Sequence, residues 1–271
     1  MKPNRVGFIG AGNIAEALIR GLITSGYLDP GQIVISDPNQ KRADAVNANL
    51  GTQIADSNRE NAARSDIVFL TVKPHQILAV CNEIQPNLDQ ETFVVSVAAG
   101  TALKNVSDAL DGHPKTCRIM PNLAAAVRKA TIGLYAVADM SAADLAPVFH
   151  LLSCVGKVFR IEDERQMAVI TALSGSAPAY YVMMADALIR YGVEQGMDEA
   201  LATQMILSTM ESSAAWASAA QVPLGELWRK VVTPGGTTEA GTSYYAAQGF
   251  IDIFIEGLAR ATGRARELGD E

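Results

Sequence analysis

The chain has 271 residues, enough for two domains or one large one and for a sizeable core. Its 49% hydrophobic content and mean hydropathy of +0.13 exclude a disordered chain. A net charge of −7 without a local Lys/Arg cluster excludes a general attraction to nucleic acid or anionic lipid and favours a small-molecule partner.

The opening MKPNRVGF shows no apolar signal segment. Residues 6–22, VGFIGAGNIAEALIRGL, begin as a short apolar strand, turn through Gly10-Ala11-Gly12, and continue with Ile14, Ala17, Leu18, Gly21 and Leu22 at helical spacing. A strand entering a helix this way leaves the first N–H groups unpaired at the positive end of the helix dipole, a site for phosphate. Gly10 permits the tight turn, Gly12 clears the way for a diphosphate, and small Ala15 lets helix and strand pack closely. The context predicts dinucleotide binding by Gly10, Ala11, Gly12, Asn13 and Ile14.

Residues 32–37 (QIVISD) read as a second strand, followed by a helix carrying Lys41 and Arg42. Asp37 here suits the ribose hydroxyls of NAD, whereas Ser36, Asn39, Lys41 and Arg42 suit the phosphate of NADP; Asp37 as a plain helix cap is a third reading. A short strand at 52–55 and a helix at 58–64 precede the apolar strand 67–72 (IVFLTV), predicted to lie centrally in a parallel sheet. Pro74 closes it at the carboxyl edge where such sheets bind ligands, so Lys73 is a candidate cofactor contact.

A helix to about Ile84 is followed by strand 93–97, which ends in Ala98-Ala99-Gly100, small residues open to a flat ring. Residues 101–110 read as a helix capped by Thr101, 116–120 as a strand, and 130–137 and 157–161 as strands bracketing a helix at 142–152. This alternation predicts an α/β fold, a Rossmann-type doubly wound sheet in a dinucleotide-binding domain at 1–162.

After Glu162 strand signals vanish, and 163–271 read as an all-helical dimerisation and substrate-binding domain. Residues 167–185 carry no charge and are long enough to span a bilayer, but Gly175, Pro178 and several hydroxyl residues interrupt them, so they are expected to form a buried element of a protein core. Pro178 suits a first helical turn, with Ser174 and Ser176 as candidate caps. The helix 179–189 is apolar on nearly every side except Asp186 and is expected to be buried all round, which calls for a dimer interface. Asp198 is expected to cap a helix to about Ala219, and 250–268 to form an amphipathic helix with Ile251, Phe254, Ile255, Leu258 and Ala265 inward. Between them, 231–239 (VVTPGGTTE) is either a second anion-binding helix start or a turn capped by Thr237, which spacing does not separate. Cys81, Cys117 and Cys154 are odd in number and set in apolar sequence, predicting three buried thiols in a reducing cytoplasm. His75, His113 and His150 lack ligand spacing, so no metal is expected.

Together GFIGAGNIA, FLTVKP, SGSAPAY and VVTPGGTTEAG resemble, in order and spacing, the pyrroline-5-carboxylate reductases. The resemblance implies reduction of a cyclic imine carboxylate to proline with NADPH, or with NADH, in a cytoplasmic homodimer or ring of dimers. It implies that Asn58, Val72, Lys73, Pro74, Ala98 and Ala99 contact the cofactor beside the diphosphate loop, and that Ser36 and its neighbours contact the ribose or its phosphate. It further implies that Thr233, Gly235, Gly236, Thr237 and Glu164 belong to the substrate pocket, and that Thr238 is the hydroxyl near the imine nitrogen. The chain departs from the family pattern at Thr233, where serine is usual, at Ala177, at Gln221, at Arg229 and Lys230, and after Asn122. Two other readings are a reductase of another imine or a 3-hydroxyacid, and a catalytically silent cofactor binder. A 3-hydroxyacid enzyme should carry a lysine on a long helix of its second domain, where this chain has only Lys230 beside the P-G-G-T-T loop.

Overall fold

The computed structural model describes residues 2–137 and 140–269. Strands β1 (Val6–Ile9), β2 (Ile33–Ser36), β3 (Gln53–Ile54), β4 (Ile67–Leu70), β5 (Phe93–Ser96), β6 (Thr116–Met120), β7 (Ala130–Ala136) and β8 (Gly156–Arg160) form one sheet in the order 3-2-1-4-5-6-7-8. Strands β1 to β6 run parallel, β7 runs antiparallel to β6, and β8 runs parallel to β7. Helices α1 (Asn13–Thr24), α2 (Gln40–Leu50), α3 (Asn58–Ala63), α4 (Ile77–Ile84), α5 (Leu103–Ala109) and α6 (Ala142–Ser153) connect them.

Because crossover helices cover both faces, β1, β2, β4 and β5 are buried at every residue. Their side chains alternate between two cores. Val6, Phe8, Ile67 and Phe69 enter one core, where the rings of Phe8 and Phe69 stack with centroids 4.8 Å apart; Ile9, Val68, Leu70 and Val94 enter the other. The pairing of β1 with both β2 and β4 makes its carboxyl end the point where the chain order reverses, and ligands of open α/β sheets bind there.

Several boundaries differ from the sequence expectation for local reasons. Strand β4 stops at Leu70 rather than at Val72, because the Thr71 hydroxyl turns to the carbonyls of Ile9 (3.0 Å) and Gly10 (2.6 Å). Helix α5 begins at Leu103 without a cap from Thr101; its first N–H is taken by Glu164. Among the described residues neither Ser174 nor Ser176 caps a helix with its side chain. Helix α7 (Gln166–Ile170) continues through a wider turn at Thr171–Gly175 into α8 (Ala177–Glu194), and the Ser174 hydroxyl donates to the Thr131 carbonyl.

By contacts the chain divides into two units, Met1–Pro178 with Arg260–Glu271, and Ala179–Ala259. The second contains α9 (Glu199–Ala219), capped as expected by Asp198, then α10 (Leu224–Leu227) and α11 (Thr237–Ala247), with most of α8 and of α12 (Phe250–Glu267). Here burial within one chain is least: on α8, for which a dimer interface is expected, Val182 is 65% and Met183 64% exposed, and on α12, Ile251 is 64% and Ile255 57% exposed, against the expectation that they face inward. A sheet with two covered faces buries its own apolar surface, whereas these helices have no second layer within one chain. Of the thiols, Cys81 and Cys117 are buried, which pushes each up to about 12, but Cys154 at the end of α6 is only half-buried.

Asn61 on α3 fastens the first two strands. It is fully buried, and its amide donates to the Phe8 carbonyl and the Ser36 hydroxyl, each at 3.0 Å. Asn61→Ala is expected to destabilise this unit by about 1–3 kcal/mol through unsatisfied buried acceptors. A urea midpoint at fixed protein concentration checks it, and an unchanged midpoint contradicts it.

Candidate active site

The loop between β1 and α1 is held from several sides. Gly10 has φ +97, and a Cβ there would lie 2.8 Å from the Thr71 carbonyl oxygen, so glycine is required. Its N–H donates to Ser36 O at 2.8 Å. The Ala11 N–H donates to Asp37 Oδ2 (2.8 Å), and the Ala11 carbonyl accepts from Arg42 Nε (2.7 Å). Gly12 is the N-cap of α1, with no side chain capping the helix, and a Cβ at Gly12 would meet nothing within 4 Å. The space before the first turn is therefore open and lined by unpaired N–H groups, which fits the diphosphate of a dinucleotide. Asn13 is exposed there and Ile14 half-buried.

Asp37 does not cap α2. Its second oxygen accepts from Asn39 N at 2.8 Å, and α2 starts after Asn39 without a side-chain cap. Ser36, expected at the ribose, is buried; its hydroxyl donates to Asn58 Oδ1 (2.8 Å), and Asn58 Nδ2 donates in turn to Glu83 (2.9 Å). Across the carboxyl edge, Val72 is half-buried and Lys73 exposed at the start of the turn Pro74–Gln76. Ala98 is buried and Ala99 half-buried, after the end of β5.

Glu164 performs a task that the sequence reading did not include. One carboxylate oxygen accepts from Leu103 N (2.6 Å) and from Arg118 Nη1 (2.8 Å). The Arg118 side chain is 5% exposed and that of Glu164 21%. The pair ties β6 to the segment that follows Ala98-Ala99-Gly100, beside a cavity of about 510 Å³ lined by Gly100, Asn105, Arg118, Glu164, Ala265 and Gly269. A lone arginine inside the buried strand TCRIM was the available signal, since a buried charge requires a partner.

In the other unit, Thr233 to Gly236 form a tight turn that leads into α11 at Thr237. Gly235 has φ +73, and its N–H donates to Glu239 Oε2 at 2.8 Å; the Gly236 N–H donates to Thr233 O at 2.9 Å. Gly236, not Thr237, is the N-cap of α11, and again no side chain caps the helix. Among the described residues the hydroxyls of Thr237 and Thr238 make no hydrogen bond, and Thr238 is half-buried.

Comparison with known proteins bears on both units. A family model described as pyrroline-5-carboxylate reductase dimerisation matches residues 164–268, and one described as NADP oxidoreductase coenzyme F420-dependent matches residues 5–100. The chain is 37% identical over 272 residues to the pyrroline-5-carboxylate reductase of Pseudomonas aeruginosa, covering 100% of this chain and 99% of that one. The solved structure of a pyrroline-5-carboxylate reductase from Coxiella burnetii is 31% identical with a TM-score of 0.82, covering 99% of each chain. The Plasmodium falciparum pyrroline carboxylate reductase, solved with NADP bound, has a TM-score of 0.91 at 24% identity over 99% of each chain, a likeness of fold.

Loss of the Glu164 carboxylate leaves Arg118 charged and unpaired in the sheet. Glu164→Ala is expected to cost about 3–5 kcal/mol, the range for breaking a buried pair from one side. Thermal denaturation at fixed protein concentration reads this, and a midpoint within a degree of the parent would show that the pair carries no such load.

Proposed function

This chain belongs to the pyrroline-5-carboxylate reductase family, and from that premise we propose how its residues divide the reaction between them. The enzyme reduces 1-pyrroline-5-carboxylate to L-proline by hydride transfer from NAD(P)H, the last step of proline biosynthesis. The observation that carries the cofactor reading is the uncapped start of α1 behind Gly12, open at the reversal point of the sheet. When bound there, NAD(P)H supplies the hydride that reaches the imine carbon.

Residues 1–162 hold the dinucleotide. Gly10, Ala11, Gly12, Asn13 and Ile14 receive its diphosphate; Asp37, with Ser36 and Asn58 supporting the same edge, faces the adenine ribose. Val72, Lys73, Pro74, Ala98 and Ala99 line the nicotinamide side. Residues 163–271 hold the substrate and the second subunit. The substrate carboxylate meets the first-turn N–H of Thr237, with Thr233, Gly235 and Gly236 shaping the approach. The Gly235 and Gly236 N–H groups are already committed to Glu239 and Thr233, which supports placing the carboxylate one residue further on. Glu164 serves the pocket through Arg118 and Leu103, by fixing the backbone beyond Ala99.

Thr238 donates to the imine nitrogen as that atom becomes an amine. Its uncommitted hydroxyl supports the role, but an aliphatic alcohol is too weak an acid to be the final proton source, so Thr238 orients or relays. With purified protein, pyrroline-5-carboxylate and either NADPH or NADH, oxidation followed at 340 nm should show turnover. Thr238→Ala should lower kcat by about ten- to a hundredfold, at the lower end of general-acid assistance. An unchanged kcat removes Thr238 from the mechanism, and no turnover by the parent with either cofactor defeats the reading.

The same premise gives the exposed helices a partner. We place a second copy against α8 and α9, making a homodimer the minimal unit and a ring of dimers its extension, in the cytoplasm. The segment Gln166–Glu194 is long and apolar enough to cross a membrane by composition, but its window is 17% buried in one chain and lies within the matched dimerisation region, which supports a protein partner. Multi-angle light scattering should find no stable monomer at micromolar concentration; a monomer there contradicts the assignment.

A further inference from the structure

The start of α2 is bonded back to the dinucleotide loop in a way the reaction does not require. Arg42, in the first turn of α2, donates from Nε to the Ala11 carbonyl at 2.7 Å and from Nη2 to Glu16 Oε2 at 2.7 Å, with Asn13 Oδ1 at 3.4 Å. Glu16 lies in the first turn of α1 and also accepts from Arg20 at 3.1 Å. Burial pushes the Glu16 carboxyl up, but the bonds from Arg42 and Arg20 outweigh it and hold the group below its ordinary value, so it is ionised at neutral pH. Lys41, the neighbouring cation, is exposed and makes no ion pair among the described residues. Asp37 has one backbone N–H on each carboxylate oxygen.

A dinucleotide seated on the loop presents its adenine ribose to the residues that follow β2. A 2′-hydroxyl needs an acceptor there, and Asp37 is one. A 2′-phosphate needs cations, best of all a planar guanidinium able to make two parallel bonds. Arg42 is the one arginine in this stretch, and two of its three nitrogens are committed, one of them to a carboxylate.

We propose that Glu16 sets the cofactor preference of this enzyme: by holding Arg42 against the loop it withholds that guanidinium from the 2′-phosphate of NADPH and narrows the discrimination between NADPH and NADH. Glu16 acts through Arg42 and is a positioning residue. The inference rests on the nicotinamide reading above and goes beyond it, because it assigns the selectivity of the site to a side chain that touches neither the diphosphate turn nor the reacting atoms.

The test is calorimetric titration of NADP+ and of NAD+ into the purified parent enzyme, into Glu16→Gln, and into the double variant Glu16→Gln with Arg42→Ala. A purely structural pair would change both affinities together, so the ratio of the two dissociation constants is the readout. Glu16→Gln should shift that ratio toward NADP+ by roughly tenfold, the order of one charge-assisted hydrogen bond, and the double variant should return it to the parent value or below. Because both variants also free Arg20, the double variant isolates Arg42. An unchanged ratio, a shift toward NAD+, or a gain that survives removal of Arg42 overturns the inference and leaves the cofactor reading intact. Binding of neither dinucleotide by the parent overturns both. Should Glu16→Gln fold poorly, Glu16→Ala removes the same charge and is read in the same way.

Discussion

The turn at Gly10 is the constraint from which the rest of the first unit follows. Three adjacent strands converge on it: β1 supplies the turn, Ser36 at the end of β2 accepts the Gly10 N–H, and Thr71 after β4 closes on the Ile9 and Gly10 carbonyls. Asp37 and Arg42 then take the N–H and the carbonyl of Ala11. Each inward-facing polar group of the turn thereby finds a partner, which a buried loop demands. What remains unpaired points outward from the first turn of α1. A binding site made this way costs little reorganisation, since its donors are already fixed before the ligand arrives.

The two units solve the burial problem differently. The sheet unit covers both faces of its strands with its own helices, and its two cores close within one chain. The helical unit leaves Val182, Met183 and Leu188 on α8, Leu201 and Leu207 on α9, and Ile251, Ile253 and Ile255 on α12 exposed. Apolar area of this extent is a requirement for a partner surface rather than a tolerated excess. Where a partner surface completes such a fold, the stability of this unit depends on the concentration of that partner.

Much of this was legible from residue order. Short, doubly buried strands between glycine and proline punctuation identified the sheet, and 116–120 was located to the residue. The motif turns at Gly10 and Gly235 were also readable, because positive φ and helix starts leave a mark on composition. What escaped was every feature decided by a distant partner. Thr101 looked like the cap of α5, but the N–H of Leu103 is taken by Glu164, 61 residues away. Ser174 and Ser176 looked like caps at a break, yet the helix runs on through a widened turn. The hydroxyl of Ser36 looked available to a ribose, yet α3 claims it through Asn58 and Asn61. The exposure of α8, by contrast, follows from its sequence: an all-round apolar helix in so small a domain calls for cover from outside its own chain.

Helices α1 and α11 share a device, an N-cap glycine and a first turn without a side-chain cap, and the two glycines differ in what requires them. At Gly12 an added Cβ would meet open space, so packing within the chain does not require glycine there. At Gly236 an added Cβ would collide with the Thr233 hydroxyl oxygen, so glycine there serves the turn itself. Serine and threonine present the same hydroxyl from the same Cβ, and the extra methyl of Thr233 is not among the atoms closest to that Cβ. The group that requires glycine at 236 is therefore common to both residues, and threonine keeps that contact while adding a methyl group beside it.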